Sequence, residues 1–389
     1  MSLFTVTAPI TITCHKRLSE YLEREVEALG FRVGERFITG VRLRGTLNDC
    51  IKLNLNLRCA SQVLFRIDQF EARHPDDIYE NVLETAWEDL LPEGGYFSVT
   101  SNVLHETINN NLYANLRVKD AIVDRLRSIW GERPETGPEL KGAVIHLFWK
   151  GDEAEIFLDT SGESLGRHGY RKIPGRAPML EALAAATIMA TVWDGSNPFV
   201  NPMCGSGTLA IEAALIATDT RPGLFRLNYA FMHLRDYEET RYQEERGLLE
   251  TRIREVPGLR IVATDYSEVA ISNARKNARA AGVEELITFG ICDFAETEVP
   301  EGHGVMMMNP EYGERLGELD ALEQTYARIG DFMKQRCKGY HGYIFTGNMA
   351  LAKKIGLKAR RRIEFYNATI DCRLLEYELY AGSREEAGR

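Results

Sequence analysis

From Phe199 onward, short runs rich in β-branched, methionine and aromatic residues alternate with longer stretches whose apolar residues recur at helical spacing. FVN, RIVATD, LITFGICD, GVMMMNP and GYIFTGN read as strands, while GTLAIEAALIA, EVAISNARKNARAAG and LDALEQTYARIGDFMKQRC read as the helices between them. Successive strands separated by helices cannot be hairpins, so the alternation predicts a mostly parallel, doubly wound α/β sheet. IEFYNA and CRLLEYELY predict an antiparallel pair that completes it. Such a sheet binds ligands in the crevice beyond the carboxyl ends of its strands, which turns attention to the loops.

Four of those loops carry chemistry. The first, Asn201-Pro202-Met203-Cys204-Gly205-Ser206-Gly207-Thr208, joins a strand to a helix. Gly205 and Gly207 permit a sharp turn and close approach of a ligand to the backbone, and Ser206 and Thr208 are candidates to cap the helix. The loop is neither the G-x-G-x-x-G nicotinamide fingerprint nor a phosphate loop ending in Gly-Lys-Ser/Thr. One unit later Asp265 ends a strand, where a carboxylate can accept both hydroxyl hydrogens of a ribose, although a plain helix cap is the other reading. One unit further, Asp293 can accept from an adenine amino group, with Phe294 as an apolar wall. Glycine loop, ribose acceptor and adenine acceptor in chain order point to a cofactor that contains adenosine. The fourth loop is Asn309-Pro310-Glu311-Tyr312. Transfer to a planar exocyclic amine needs acceptors for its hydrogens, which the Asn309 oxygen and a neighbouring carbonyl supply. Pro310 restricts Asn309 to an extended backbone, and Tyr312 can stack on a flat base.

The first 165 residues interleave strand-like runs (TVTAPITITC, VRLRG, VLFRIDQF, YFSVTSNV) with helical ones (RLSEYLEREVEAL, DDIYENVLETAWEDL, LYANLRVKDAIVDRLRSIW). AVIHLFWKGDEAEIFLDT reads as a hairpin about a Gly-Asp turn. A stretch rich in glycine, proline and basic residues, 161–178, marks a domain junction, and MLEALAAATIMATVW after it reads as a helix. At 389 residues the chain is long enough for two or three cores. Seven scattered cysteines with no C-x-x-C pair give no metal or redox motif and suit a reducing cytoplasm. The opening MSLFTVTAPITIT lacks the pattern of a secretory signal, and no apolar run is long enough to predict a membrane span. A net charge of −10 argues against non-specific nucleic-acid binding by the whole surface, leaving HGYRKIPGR and KKIGLKARRR as candidate basic faces or ordinary solvated runs.

NPMCGSGT, ATD, CDF and NPEYGER together resemble the class I S-adenosylmethionine-dependent methyltransferases, specifically the THUMP-domain-containing large-subunit (23S) ribosomal RNA guanine-N2 methyltransferase family. The resemblance spans nearly the whole chain. SNVLHETINNNLYANLRVKDAIVDRL looks like the THUMP module, HGYRKIPGRAPMLEALAAA like the entry to the catalytic domain, RPGLFRLNYAFMHL like an insertion after its first helix, and NATIDCRLLEYEL like its final hairpin.

It implies a ferredoxin-like subdomain over 1–60, a THUMP RNA-binding domain over 61–165 and a Rossmann-like methyltransferase domain over 166–389. S-adenosylmethionine would be held by Asn201, Pro202, Cys204, Gly205, Ser206, Gly207 and Thr208 at its methionine end. Asp265 would hold the ribose and Asp293 and Phe294 the adenine, with Tyr266 also among the cofactor-binding residues. Asn309, Pro310, Glu311 and Tyr312 would receive the target base, with no metal and no nucleophilic cysteine. The implied partner is 23S ribosomal RNA, before or during large-subunit assembly; an oligomeric state cannot be read. Two positions depart from the family: Asn201 replaces its usual aspartate, and Glu311 replaces the second proline of Asn-Pro-Pro-Tyr. Glu311 admits two readings, a tolerated loop substitution or a carboxylate that accepts from the N1–H and N2–H edge of guanine. The alternatives are a transfer-RNA guanine-N2 enzyme, an N6-adenine nucleic-acid methyltransferase and a noncatalytic RNA-binding or ribosome-assembly protein.

Overall fold

The structure, a computed structural model, describes residues 2–106, 110–173, 179–313 and 319–380. In chain order the N-terminal elements are β1 (Ala8–Thr13), α1 (Ser19–Ala28), β2 (Glu35–Phe37), β3 (Gly40–Gly45), α2 (Leu47–Asn56), β4 (Gln62–Glu71), α3 (Pro75–Glu84), β5 (Tyr96–Leu104), α4 (Asn111–Trp130), β6 (Glu135–Thr136), β7 (Ala143–Lys150) and β8 (Glu153–Asp159). Their strands form one eight-stranded sheet in the order β2-β3-β1-β4-β8-β7-β5-β6. The hairpin expected around Gly151-Asp152 is β7–β8, paired antiparallel from Val144↔Asp159 to Lys150↔Glu153. By contrast β5 runs parallel to β7 and reaches it through α4, whose C-terminus is closed by Gly131 at φ +79°.

The C-terminal elements are α5 (Glu181–Met189), β9 (Phe199–Pro202), α6 (Thr208–Ala217), α7 (Glu239–Arg252), β10 (Ile261–Asp265), α8 (Glu268–Ala280), β11 (Ile287–Ile291), β12 (Val305–Met308), α9 (Leu319–Arg336), β13 (His341–Thr346), α10 (Met349–Lys354), β14 (Arg361–Asn367) and β15 (Ile370–Glu378). They build a seven-stranded sheet in the order β11-β10-β9-β12-β13-β15-β14. Strands β9 to β13 pair parallel, and β15 is antiparallel to both neighbours, as the doubly wound pattern and its terminal pair predict. Met306 and Met308 of β12 lie in the core with Tyr326, Ile329, Phe332 and Met333 of α9. The order reverses at β9, with β10 on one side and β12 on the other, so the loops after these strands open at a topological switch point.

Packing divides the chain into two compact units whose boundaries are not linear: 1–14, 22–165 and 222–251 form one, and 15–21, 166–221 and 252–389 the other. Residues 222–251, which fall within the 166–389 domain expected from the sequence, pack with the first unit. The reason is local. Phe231 and Ala230 donate backbone N–H groups to Thr160 and Ser161, Arg226 binds the carbonyls of Ser161, Glu163 and Ser164, and Tyr229 and Phe231 are fully buried.

Candidate functional site

The chain leaves β9 through a turn that uses three left-handed residues, Met203 (φ +55°), Gly205 (φ +55°) and Gly207 (φ +82°). Cys204 donates its N–H to Thr264 of β10 at 2.9 Å, which ties the loop to the neighbouring strand. A Cβ at Gly207 would press on Ala274 at 3.0 Å, whereas one at Gly205 would meet nothing within 4 Å, so Gly205 faces open space. The cap of α6 is Gly207 itself, without a side-chain acceptor. Ser206 and Thr208 thus do not cap this helix as expected; Thr208 Oγ1 instead accepts from Arg171 at 2.9 Å, with Ser206 Oγ 3.4 Å from it. Asn201 is buried, its Nδ2 donating to the Met307 carbonyl at 2.8 Å and its Oδ1 without a partner among the described residues. Cys204 is buried beside Asp265, and burial pushes its thiol well above the ordinary range, which fits a packing role rather than nucleophilic chemistry.

Asp265 ends β10 and accepts from two backbone groups, Gly205 N–H on Oδ2 and Ser267 N–H on Oδ1, each at 3.0 Å. Ser267, not Asp265, caps α8. The carboxylate therefore braces the glycine loop and keeps lone pairs on both oxygens for a further donor. Tyr266 beside it is exposed. Asp293 follows β11, and its Oδ1 accepts from Ala295 N–H at 2.9 Å and from Arg328 of α9 at 2.7 Å. Partial burial raises this carboxyl, but the Arg328 and Ala295 bonds outweigh it and hold the group below the usual carboxylate range. Phe294, expected as an apolar wall, is largely enclosed. The residue is 7 % exposed, its ring edge-on to Phe332 at 6.2 Å and covered by the Arg328 guanidinium at 4.8 Å. The large apolar side chain exposed at this strand end is Ile291.

Asn309 follows β12, and its Oδ1 is buried with no hydrogen-bond partner among the described residues. Pro310 is buried. Glu311 is solvent-exposed. Tyr312 is half-buried; its hydroxyl accepts from Asn367 Nδ2 at 2.8 Å and its carbonyl from Asn348 Nδ2 at 3.3 Å. A Cβ at Gly347 would lie 3.2 Å from the tyrosine ring, so the bare glycine lets the ring settle there. Gly347, Asn348 and Asn367 were read in the sequence only as the ends of strand-like runs, GYIFTGN and IEFYNA, with no role at the site. Glu314 and Arg315 of NPEYGER lie outside the described residues.

The segment HGYRKI is largely internal rather than a basic face. His168 and Tyr170 are buried, His168 Nδ1 lies 2.8 Å from Glu212 Oε1, and Arg171 Nε lies 3.5 Å from buried Glu181. Asn277 of α8, also missed, accepts from the N–H groups of Lys172 and Ile173 and donates to Ser206 O, joining this segment to the glycine loop. The remaining PGR of that run lies outside the described residues. In the second basic run Lys354 pairs with Glu323, Arg360 with Glu378 and Arg361 with Glu376, so much of its charge is met internally. Among the described residues no cluster of His, Cys, Asp and Glu could hold a metal, and no helix is long and apolar enough to cross a membrane.

Comparison with known proteins follows this architecture. The model of the RMKL-like methyltransferase domain matches residues 168–376, that of the RlmL ferredoxin-like domain 9–64 and that of the THUMP domain 72–159. Ribosomal RNA large subunit methyltransferase K/L of Syntrophotalea carbinolica is 36% identical over 96% of this chain and 54% of its own length, and that of Allochromatium vinosum 34% over 97% and 52%. The chain thus spans about half the length of these curated relatives. Among solved structures, the methyltransferase SMU.472 complexed with SAH superposes with a TM-score of 0.88 at 28% identity, covering 97% of this chain and 99% of its own. A chain from Listeria monocytogenes described as an N6-adenine-specific DNA methylase gives 0.87 at 29%, over 96% and 97%. TrmN from Thermus thermophilus, 18% identical with a TM-score of 0.69 over 96% and 100%, shares the fold.

Proposed function

Because this chain belongs to the RMKL-like methyltransferase family and carries a THUMP domain, we propose that it methylates the exocyclic N2 amine of a guanosine in 23S ribosomal RNA. Family membership carries the Rossmann-like methyltransferase fold and S-adenosylmethionine as cofactor. That cofactor supplies a methyl group already activated on a sulfonium, so the protein has to bind, align and exclude water.

The residues present fit this cofactor. The open side of Gly205 lets a ligand approach the backbone, and the N-terminus of α6 favours the negative end of an amino-acid tail. Asp265 retains lone pairs for ribose hydroxyls, and Asp293 Oδ2 accepts no hydrogen bond among the described residues and is available to an adenine amine. At the reacting end, the Asn309 oxygen and an adjacent carbonyl take the hydrogens of the target amine, which turns its lone pair toward the methyl carbon. Tyr312, fixed by Asn367 and by the space over Gly347, stacks on the base.

The observation that carries the reading is the Asn309 Oδ1, a buried acceptor without a partner among the described residues at the strand end where an amine must be received. The choice of ribosomal RNA rests on the K/L relatives and the THUMP domain, and seven scattered cysteines with no C-x-x-C spacing suit our placement of the protein in a reducing cytoplasm. An N6-adenine specificity is the second reading, favoured by the Listeria chain.

Incubating the protein with labelled S-adenosylmethionine and separately with 23S RNA, transfer RNA and DNA, then digesting to nucleosides, tests both. Label is expected as N2-methylguanosine in 23S RNA. N6-methyladenosine, or label confined to transfer RNA or DNA, overturns the proposal. Asn309→Ala is expected to lower turnover by roughly a hundredfold while leaving S-adenosylhomocysteine affinity within about threefold.

A further inference from the structure

Arg328 lies on α9, 35 residues beyond the carboxylate it holds, and belongs to none of the strand-end loops. Its NH2 group is 2.7 Å from Asp293 Oδ1, and its guanidinium lies 4.8 Å above the Phe294 ring. Phe294 is itself immobilised edge-on to Phe332. The arginine is therefore held from two sides, by a ring below and a carboxylate ahead. Ala295 N–H donates to the same Oδ1 at 2.9 Å. Both donors thus occupy one carboxylate oxygen and leave Oδ2 without a partner among the described residues. A carboxylate pinned in this way is ionised and can only accept at Oδ2. It attracts a purine that presents an amino group at position 6 and repels one that presents a carbonyl there.

We propose that Arg328 is the positioning residue for adenine recognition, fixing the plane and charge of Asp293 so that Oδ2 selects a 6-amino purine. The inference rests on the reading of Asp293 as the adenine acceptor. It assigns Arg328 a role in cofactor specificity that acts through Asp293, without contact to the reacting atoms.

The test measures binding of S-adenosylhomocysteine and of S-inosylhomocysteine, its 6-oxo counterpart, by calorimetry. Arg328→Met keeps the apolar stem over Phe294 and removes the charge, Arg328→Lys restores the charge without the planar fork, and Asp293→Asn checks the underlying reading. Arg328 is half-exposed, so its variants keep the fold, which thermal melting confirms. The wild type is expected to prefer the adenosyl ligand by at least about tenfold, as a charge-assisted bond supports. Arg328→Met is expected to weaken the adenosyl ligand by about threefold to fivefold, the scale of a half-exposed ion pair, with the inosyl ligand nearly unchanged. Arg328→Lys should fall between. Equal weakening of both ligands, or an undiminished preference in Arg328→Met while Asp293→Asn loses it, overturns the role of Arg328. A preference that survives Asp293→Asn overturns the reading of Asp293 itself, and the inference with it.

Discussion

Asn201 occupies a site with almost no exposure, its amide donating to the Met307 carbonyl and its oxygen turned to no protein donor. The family's aspartate at this position would set a carboxylate oxygen 2.8 Å from that carbonyl, acceptor against acceptor, in a desolvated place. Asn201→Asp is therefore expected to destabilise the protein by about 3 kcal/mol in urea unfolding, rather than to improve cofactor binding by restoring a charge. A variant of undiminished stability that binds S-adenosylhomocysteine more tightly would show that the asparagine is a defect and not a fitted residue. Asn201, Asp265, Asp293, Asn309 and Tyr312 were legible in the sequence because each lies at or just beyond the carboxyl end of a strand-like run. Arg328, Gly347 and Asn367 were not, since they reach these residues only through the packing of α9 and the terminal strands. Glu311 was legible as a departure but not as an exposed side chain, because nothing in the local sequence sets the direction of a loop carboxylate.

At the level of elements, alternation of strands and helices revealed the seven-stranded sheet, but LNDCIKLNLN gave no clear period and α2 went unread. Its evident signal is the capping box of Thr46 and Asp49, with reciprocal bonds of 3.2 and 2.7 Å. On the neighbouring sheet, His146 of β7 is buried with Nδ1 2.8 Å from Thr100 Oγ1, and desolvation lowers its pKa to about 4. A histidine depressed in the folded state and ordinary when unfolded contributes stability that is complete above the unfolded value of 6.5. That contribution is lost as pH falls toward about 4. Asp159 of β8, raised by burial to about 6, works in the opposite sense, its cost appearing as pH rises from 3.8 through that value. The test is accordingly a difference. Between pH 6.5 and 4 the wild type should lose about 3 kcal/mol relative to His146→Gln in chemical unfolding of the N-terminal unit. Parallel pH profiles for the two proteins would remove the histidine from the account.

For the whole molecule, linear order and packing disagree at residues 222–251, which sequence resemblance had placed inside the catalytic domain and which pack with the N-terminal residues. Tyr229 and Phe231 stack at 5.1 Å with Tyr242 against both, and all three are buried. A fragment starting at residue 166 keeps this aromatic cluster but loses the strand end at Thr160 and Ser161 to which it is bonded. It should bind a hydrophobic dye and self-associate at concentrations where the full chain stays monodisperse. The cure is also specified by the structure. Arg252 pairs with Asp219 at 3.0 Å, and Arg254 N–H reaches Thr218 O at 3.0 Å, so the two ends of the segment lie together and a bridge of a few residues can replace it. The bridged fragment should lose most of the dye signal and remain monodisperse. What signal persists should come from Phe365, whose stacking partner at 5.6 Å, Tyr21, is also missing from the fragment. Equal dye binding with and without residues 222–251 would mean that the aromatic cluster satisfies itself, and that the division of the chain follows sequence order after all.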